Sequence, residues 1–548
     1  MAIQPATPLA SSVPELGHGR VHRLDAPSSL RFRHVLLIVL STGVHSLAFP
    51  PWNLSLAAWI ALVPFLCALR SLQPAAGVLA GLLWGSAAIW AVAYWVPAAL
   101  TFYYQQPWWF GLLFCVVGSM ALWGSYYAVF GGLLCWLTPR TGIALRVLLL
   151  STLWVSCELA RARLLTGEPW MLLGYALIPN LTLIQSADLG GVYLLSFLVI
   201  AVNVSFAETV LGLQRRDRSA AWILLPAAAL LAAAYTYGSY RLAVPLPDRP
   251  AVPVVVVQGN NDLGTQWREE FYGQGLERYL QMSVAAAGQI HPRLIVWPES
   301  AVTFFLAHEP GYQALITRML STAGADLIVG APHYQDDDPA VPRFFNSAFY
   351  LTADGRLASR YDKGHLLPFA EYFPLRTIEF LRRHFERVRN FTAGDGATLL
   401  DTSIGKAAVV ICFEAIFPEL VRQQMQRGAS LLVNLSNDAW LGRQAGPEQH
   451  LAMATLRAVE NRTWLIRATT TGVSAIIDPF GRVRARSATF APAVLDGTIV
   501  PMQADTFYKR VGDAFAYGCL LISLAGLLGA GVRRAARRAA VVRSRILQ

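Results

Sequence analysis

Three residues of this chain could together carry out acyl transfer. Glu299 ends the apolar run "LIVWPES", Lys363 stands in "SRYDKGHLLPFAEYFP", and Cys412 closes "VVIC" in "VVICFEA". A thiol becomes a strong nucleophile when a neighbouring base takes its proton. A carboxylate can be that base, and an ammonium can favour the thiolate or hold a developing oxyanion. Each residue also has a plainer role: a cysteine ending an apolar strand is commonly core, a Pro-Glu-Ser turn can cap the next helix, and a turn lysine is commonly solvated. The other five cysteines, Cys67, Cys115, Cys135, Cys157 and Cys519, lie in long apolar segments, where a free thiol acts as a small hydrophobe. Cys412 is the exception. With no CxxC pair and no Cys/His cluster at metal-binding spacing, neither a metal site nor a disulfide framework is suggested, and because a thioester is reactive enough toward amines, acyl transfer through it needs no other cofactor.

The elements that must position these residues lie between about 250 and 505. Short Val/Ile/Leu-rich runs ("VPVVVVQG", "RLIVWPES", "DLIVGAP", "KAAVVICFEA", "SLLVNLSND", "TWLIRATTTGVSAIIDPFG") alternate with helical segments near 268–287, 310–321, 416–427 and 447–462. That alternation predicts an α/β domain whose strands are covered on both faces. In open α/β sheets ligand sites gather at the carboxyl ends of strands, and the three residues sit at or soon after such ends.

The rest of the chain is a membrane protein by composition: 55% hydrophobic and only 14% charged over 548 residues. A spanning helix needs about 20 mostly apolar residues. Seven candidates precede residue 240 (34–50, 54–70, 76–99, 108–137, 144–163, 191–213 and 220–239), and an eighth covers 515–532. The expected organisation is a basic, disordered tail at 1–33, a membrane domain at 34–240, a catalytic domain at 250–505, a C-terminal span and a second basic tail at 533–548. The first apolar segment has no small-residue cleavage site after it and is expected to stay as an anchor. The net charge of +11 comes from arginines in short loops and tails, such as Arg31, Arg70, Arg140, Arg215 and Arg533, which all fall on one side if there are eight spans. Positively charged loops stay in the cytoplasm, so both termini are expected there and the catalytic domain on the opposite side. Arg161 and Arg163 break the pattern and are expected to reach lipid headgroups. The arginines lie away from the large domain, which disfavours nucleic-acid binding.

The words "VWPES", "YDKGHLLPFAEYFP", "VICFEAIFPEL" and "LVNLSNDAWLG" resemble the nitrilase (carbon–nitrogen hydrolase) superfamily, whose Glu-Lys-Cys set occurs in this order on an αββα sandwich. With its spans, the chain resembles the apolipoprotein N-acyltransferase family, an integral membrane branch, over roughly 34–532. That resemblance implies a bacterial inner-membrane enzyme with its catalytic domain in the periplasm. Cys412 would attack the sn-1 ester of a phospholipid, typically phosphatidylethanolamine, and pass the acyl chain to the α-amino group of a diacylated apolipoprotein. Glu299 would be general base; Lys363 and the Phe413 N–H would hold the oxyanion. A monomer is expected. Glu371 and Glu414 match supporting positions of the family. Trp267, Asn346, Asn437, Asp438 and Trp440 are candidates for substrate binding, with Glu158, Trp170 and Tyr175 on the membrane side. Arg161, at helical spacing, is the expected partner of Glu158. Ala370 and Phe413 stand where the family usually has Gly and Tyr, which puts acyl or acceptor preference in question. Alternatives are a membrane-tethered amidase or acyltransferase for a different amine, a transporter with an outer binding module, and an inactive scaffold. The few intramembrane charges speak against transport, and the intact triad against a scaffold.

Overall fold

The computed structural model describes residues 28–103, 105–261, 272–336, 342–374, 379, 383 and 390–546. The basic tail expected over 1–33 lies outside the described residues up to position 27.

Twelve described strands form two six-stranded sheets. The first has the order β12-β1-β2-β3-β4-β5, built from β1 (Val252–Gln258), β2 (Leu294–Val296), β3 (Asp326–Gln335), β4 (Arg343–Leu351), β5 (Leu357–Asp362) and β12 (Ala493–Ile499). The second has the order β11-β10-β9-β8-β7-β6, from β6 (Leu400–Thr402), β7 (Gly405–Ile411), β8 (Leu431–Ser436), β9 (Leu465–Thr469), β10 (Ala475–Ile477) and β11 (Val483–Arg486). The centre of each sheet is parallel, β1-β2-β3 and β7-β8-β9, and the flanking pairs are antiparallel.

Alternation along the strands decides the layers. Val254 and Val256 of β1 face Val409, Val433 and Ile466 across the gap between the sheets. Val255 and Val257 face outward onto the helices Leu276–Ile290 and Pro310–Ala323. On the far side, Val410 and Leu432 meet the helices Pro418–Gln426 and Ala445–Asn461. The result is an αββα sandwich whose strands are buried on both faces, as their near-continuous apolar sequences require. β4, which the sequence reading did not single out, joins β3 to β5 in the first sheet and carries Asn346, while β5 ends directly before Lys363.

Six helices among the described residues are long and apolar enough to cross a membrane: Pro74–Val92, Trp108–Arg140, Ile143–Arg163, Ala187–Gln214, Ser219–Ala243 and Ala514–Ser544. The first two expected spans are instead the shorter apolar helices Phe32–Leu47 and Ser55–Leu69. Sixteen residues rise only about 24 Å, short of a hydrocarbon core of about 30 Å. Glycine spacing fixes one helix pair. Gly77, Gly81 and Gly85 recur every four residues, and a Cβ at Gly81 would lie 1.9 Å from the Tyr127 carbonyl oxygen of the neighbouring helix. Small residues at one face let membrane helices approach this closely.

The two parts share one core. Phe413, Ile416, Leu441, Met453 and Leu456 of the sandwich pack in the same apolar cluster as Trp84, Trp154, Trp170 and Leu173 of the helical part. Gln449 joins them by hydrogen bonds: its Oε1 accepts from the indoles of Trp95 (3.2 Å) and Trp170 (2.9 Å), and its amide donates to the carbonyls of Pro50 and Val92. Arg161 does not reach outward as expected, whereas Arg163 is exposed. Arg161 is buried, pairs with Glu168 at 3.1 Å and lies 3.7 Å over the Trp123 ring, while Arg163 pairs with Asp513. For Arg161, the half-buried Glu168 carboxylate and the Trp123 face offer the guanidinium better partners than the lipid surface.

Candidate active site

β2 delivers Glu299 into the interior. A methyl group at Gly330 of β3 would lie 2.5 Å from the Glu299 Cα, so only glycine lets the Pro-Glu-Ser turn pass this close. Glu299 is buried, and both its oxygens are engaged. Oε1 accepts from Asn346 Nδ2 at 2.7 Å and Oε2 from the Asn437 N–H at 2.6 Å. Burial raises its pKa and the nearby Glu371 adds to this, against Lys363 and the two hydrogen bonds.

β5 ends at Asp362 and places Lys363, only 1% exposed, at the same end of the sheet. Its Nζ is 2.8 Å from Glu371 Oε2, and its N–H donates to the Asn346 carbonyl at 2.9 Å. Burial disfavours the ammonium, but Glu371 and Glu299 outweigh it and hold the lysine pKa above its ordinary value. Asn346 of β4 joins the set: one Nδ2 donates to both Glu299 and Glu371 (2.8 Å), which sets the two carboxylates side by side.

β7 ends at Ile411, and Cys412 follows with φ of +52°, a left-handed conformation uncommon for a side-chain-bearing residue. Such strain at a strand-to-helix turn is held by its surroundings and commonly marks a functional position. Here the surroundings are specific. His450 Nε2 lies 3.1 Å from the Cys412 carbonyl oxygen, and Ser436 hydrogen-bonds the thiol. Burial pushes the Cys412 thiol pKa up, Glu299 adds to this and Lys363 opposes it. At rest the sulfur is therefore a thiol, and a base is needed to activate it.

Glu414 is wholly buried and is a strap. Its carboxylate accepts from Ile411 N–H (2.7 Å), Gly364 N–H (2.8 Å), His365 N–H (2.9 Å) and the Tyr361 hydroxyl (2.8 Å), tying the lysine loop to the cysteine turn. Burial raises its pKa to about 7 against these donors. Asp438 is equally enclosed, accepting from Ser436 (2.6 Å) and Arg467 (2.6 Å) with His450 Nδ1 at 3.0 Å. Burial works against its charge, but Arg467 and His450 prevail and hold its pKa below the ordinary range.

Of the other expected residues, Trp440 stands at the membrane-side wall, its ring 5.8 Å from Trp95. Trp170 packs 5.9 Å from His450, and Tyr175 accepts from Arg457 at 2.9 Å. Phe413 packs with Phe417 and His365. Glu158 is buried one layer deeper, accepting from Trp154 (3.1 Å) and the Leu173 N–H (2.8 Å); the ion pair of Arg161 goes to Glu168 rather than Glu158. Trp267 lies outside the described residues. The sequence reading missed His450, Arg467 and Tyr361. Tyr361 stood two residues before Lys363, within the quoted word, but the other two come near Cys412 only through the helix and strand that follow β8.

A buried thiol between two carboxylates and a lysine, on the strand ends of an αββα sandwich, defines a carbon–nitrogen-hydrolase domain, and residues 254–507 match the carbon–nitrogen hydrolase family. Residues 41–205 match the apolipoprotein N-acyltransferase N-terminal domain. The chain is 36% identical over 498 residues to the apolipoprotein N-acyltransferase of Geobacter metallireducens, covering 89% of this chain and 93% of that one. It is 34% identical over 480 residues to the enzyme of that name from Bradyrhizobium diazoefficiens, covering 80% and 87%. The chain belongs to the apolipoprotein N-acyltransferase family.

Proposed function

We propose that the protein moves an acyl chain from the sn-1 position of a phospholipid to the α-amino group of a diacylglyceryl-cysteine, through a thioester on Cys412. Glu299 takes the thiol proton as sulfur attacks the ester carbonyl. The tetrahedral oxyanion is held by Lys363 Nζ and the Phe413 N–H. Collapse expels the lysophospholipid, whose departing oxygen takes the proton back from Glu299, and leaves the acyl group on sulfur. In the second half the amine nitrogen attacks the thioester, Glu299 accepts its proton, and the thiolate leaves and is reprotonated as the amide forms. Glu371 orients Lys363, and Asn346 keeps both carboxylates in place. Glu414 fixes the geometry between lysine and cysteine, and Asn437, Asp438, Trp440, Trp170, Tyr175 and Trp267 shape the substrate site.

The observation that carries this reading is the division of partners: Lys363 is ion-paired to Glu371, which leaves Glu299 without a cation of its own beside a thiol. The continuity of the Phe413 turn with the helical core supports lipid substrates, because a donor and an acceptor anchored in the bilayer can reach the sulfur without leaving it. The arginine-rich loops support cytoplasmic termini and a catalytic domain facing the periplasm of the bacterial inner membrane. We take the enzyme to act as a monomer on phosphatidylethanolamine and diacylated apolipoprotein. The test incubates purified protein with phosphatidylethanolamine labelled in its sn-1 chain and a diacylated lipopeptide. The expected product is lipopeptide heavier by that chain; label released only as free fatty acid would contradict acyl transfer and indicate a hydrolase.

A further inference from the structure

At the end of the helical domain away from the sandwich, four arginines line one cavity of about 520 Å³. Arg533, Arg534 and Arg538 come from the helix Ala514–Ile546, and Arg140 from the end of the helix Trp108–Arg140; Ala530 and Val542 supply apolar wall. The arrangement follows from the backbone. At 3.6 residues per turn, positions 533, 534 and 538 share one face of the helix, turned toward Arg140. None of the four is in an ion pair among the described residues, whereas Arg70 and Arg146 of the same membrane end both pair with Glu208. Four uncompensated like charges around one cavity repel each other, and an anion would relieve them.

Depth says which anion. The 19 residues from Ala514 to Val532 rise about 28 Å, close to the thickness of a hydrocarbon core. Arg533 therefore begins at the far edge of the core, at the level of headgroup phosphates, with apolar wall beside it. We infer that this cavity holds the phosphate of an anionic phospholipid from the leaflet opposite the catalytic domain. A soluble phosphate ester shares the charge but has no use for the apolar wall. The site would bind independently of acyl transfer and anchor the last helix against the helix that ends at Arg140.

The test uses the full-length protein, delipidated in detergent and titrated with phosphatidylglycerol while lipid adducts are followed by native mass spectrometry. Arg534→Gln/Arg538→Gln is expected to weaken retention about twenty-five-fold, at roughly fivefold per arginine. Arg215→Gln/Arg216→Gln removes the same charge from the same membrane end outside the cavity, and is expected to stay within twofold of wild type. Equal retention in all three proteins, or equal loss in both variants, would overturn the site. Displacement of the lipid by equimolar glycerol phosphate would overturn the lipid assignment. Should the first variant fail to fold, a photo-crosslinking phosphatidylglycerol on wild-type protein is expected to label peptides containing Arg140 or residues 530–542. Labelling confined to other segments would overturn the proposal.

Discussion

The chain buries charge in two neighbouring places, around Cys412 and at the junction between sandwich and helices, and wires them differently. At the junction carboxylates are matched to arginines: Glu460 to Arg457, Asp188 to Arg462 and Arg241, Asp513 to Arg163, Glu168 to Arg161. Around Cys412 the lysine is ion-paired to Glu371, and among the described residues the hydrogen bonds to Glu299 come from neutral donors. Matched pairs hold parts together, because removing one partner strands the other charge in a dry interior. An unmatched carboxylate, with a raised pKa and a thiol beside it, keeps the capacity to move a proton. Glu158 sharpens the distinction, since it lies near the junction and accepts from an indole and an N–H on one oxygen, while its buried Oε2 has no hydrogen-bond partner among the described residues.

The largest expected effect comes from the unmatched cluster. Glu299→Gln should lower kcat by about 10⁴-fold or more, and Lys363→Ala by about 10²- to 10³-fold, with thermal unfolding little changed for the first. If the Gln variant kept wild-type turnover in a lipopeptide acylation assay, the contrast between the clusters would lose its meaning. Next, Glu460→Ala should strand Arg457 and cost about 3–5 kcal/mol of stability. Its kcat per folded molecule should stay within a few-fold. A loss of turnover without a loss of melting temperature would break the comparison from the other side.

Asn346→Ala should act on the pH profile. In the proposed mechanism the active form of Glu299 is the carboxylate, and its pKa is already raised by burial, so activity should fall on acidification above the ordinary carboxylate range. Asn346 donates to that carboxylate and lowers its pKa; without it the acid limb of kcat/KM should move to higher pH. An unmoved limb would assign Asn346 a packing role only. The smallest effect is expected for Phe413→Tyr, which adds a hydroxyl beside the nucleophile: a change of a few-fold at most in KM for phospholipid, with kcat preserved.

The three central residues were legible because each sits in a word with its own strand end, and strand ends are what the sheet brings together. The layering was legible too: "VPVVVVQG" and "KAAVVIC" alternate nothing, which only a strand buried on both faces does. The first two helices were read as spans because apolar composition does not reveal where a segment stops, and Pro50–Pro51 and the turn at Ser55–Trp59 leave them short. Arg161 looked like a lipid contact because Glu168 and Trp123, which enclose it, are a loop and another helix away. His450 gave no signal at all. It stands 38 residues beyond Cys412 and meets its carbonyl only because the helix Ala445–Asn461 folds back over β7 and β8.

The most direct measurement of the central claim is the intact mass of the protein after exposure to phospholipid without an acceptor. Wild type is expected to gain the mass of one acyl chain, mapped to Cys412 by peptide sequencing and lost when diacylated lipopeptide is added. The same gain in Cys412→Ala, or an adduct that lipopeptide does not discharge, would contradict it.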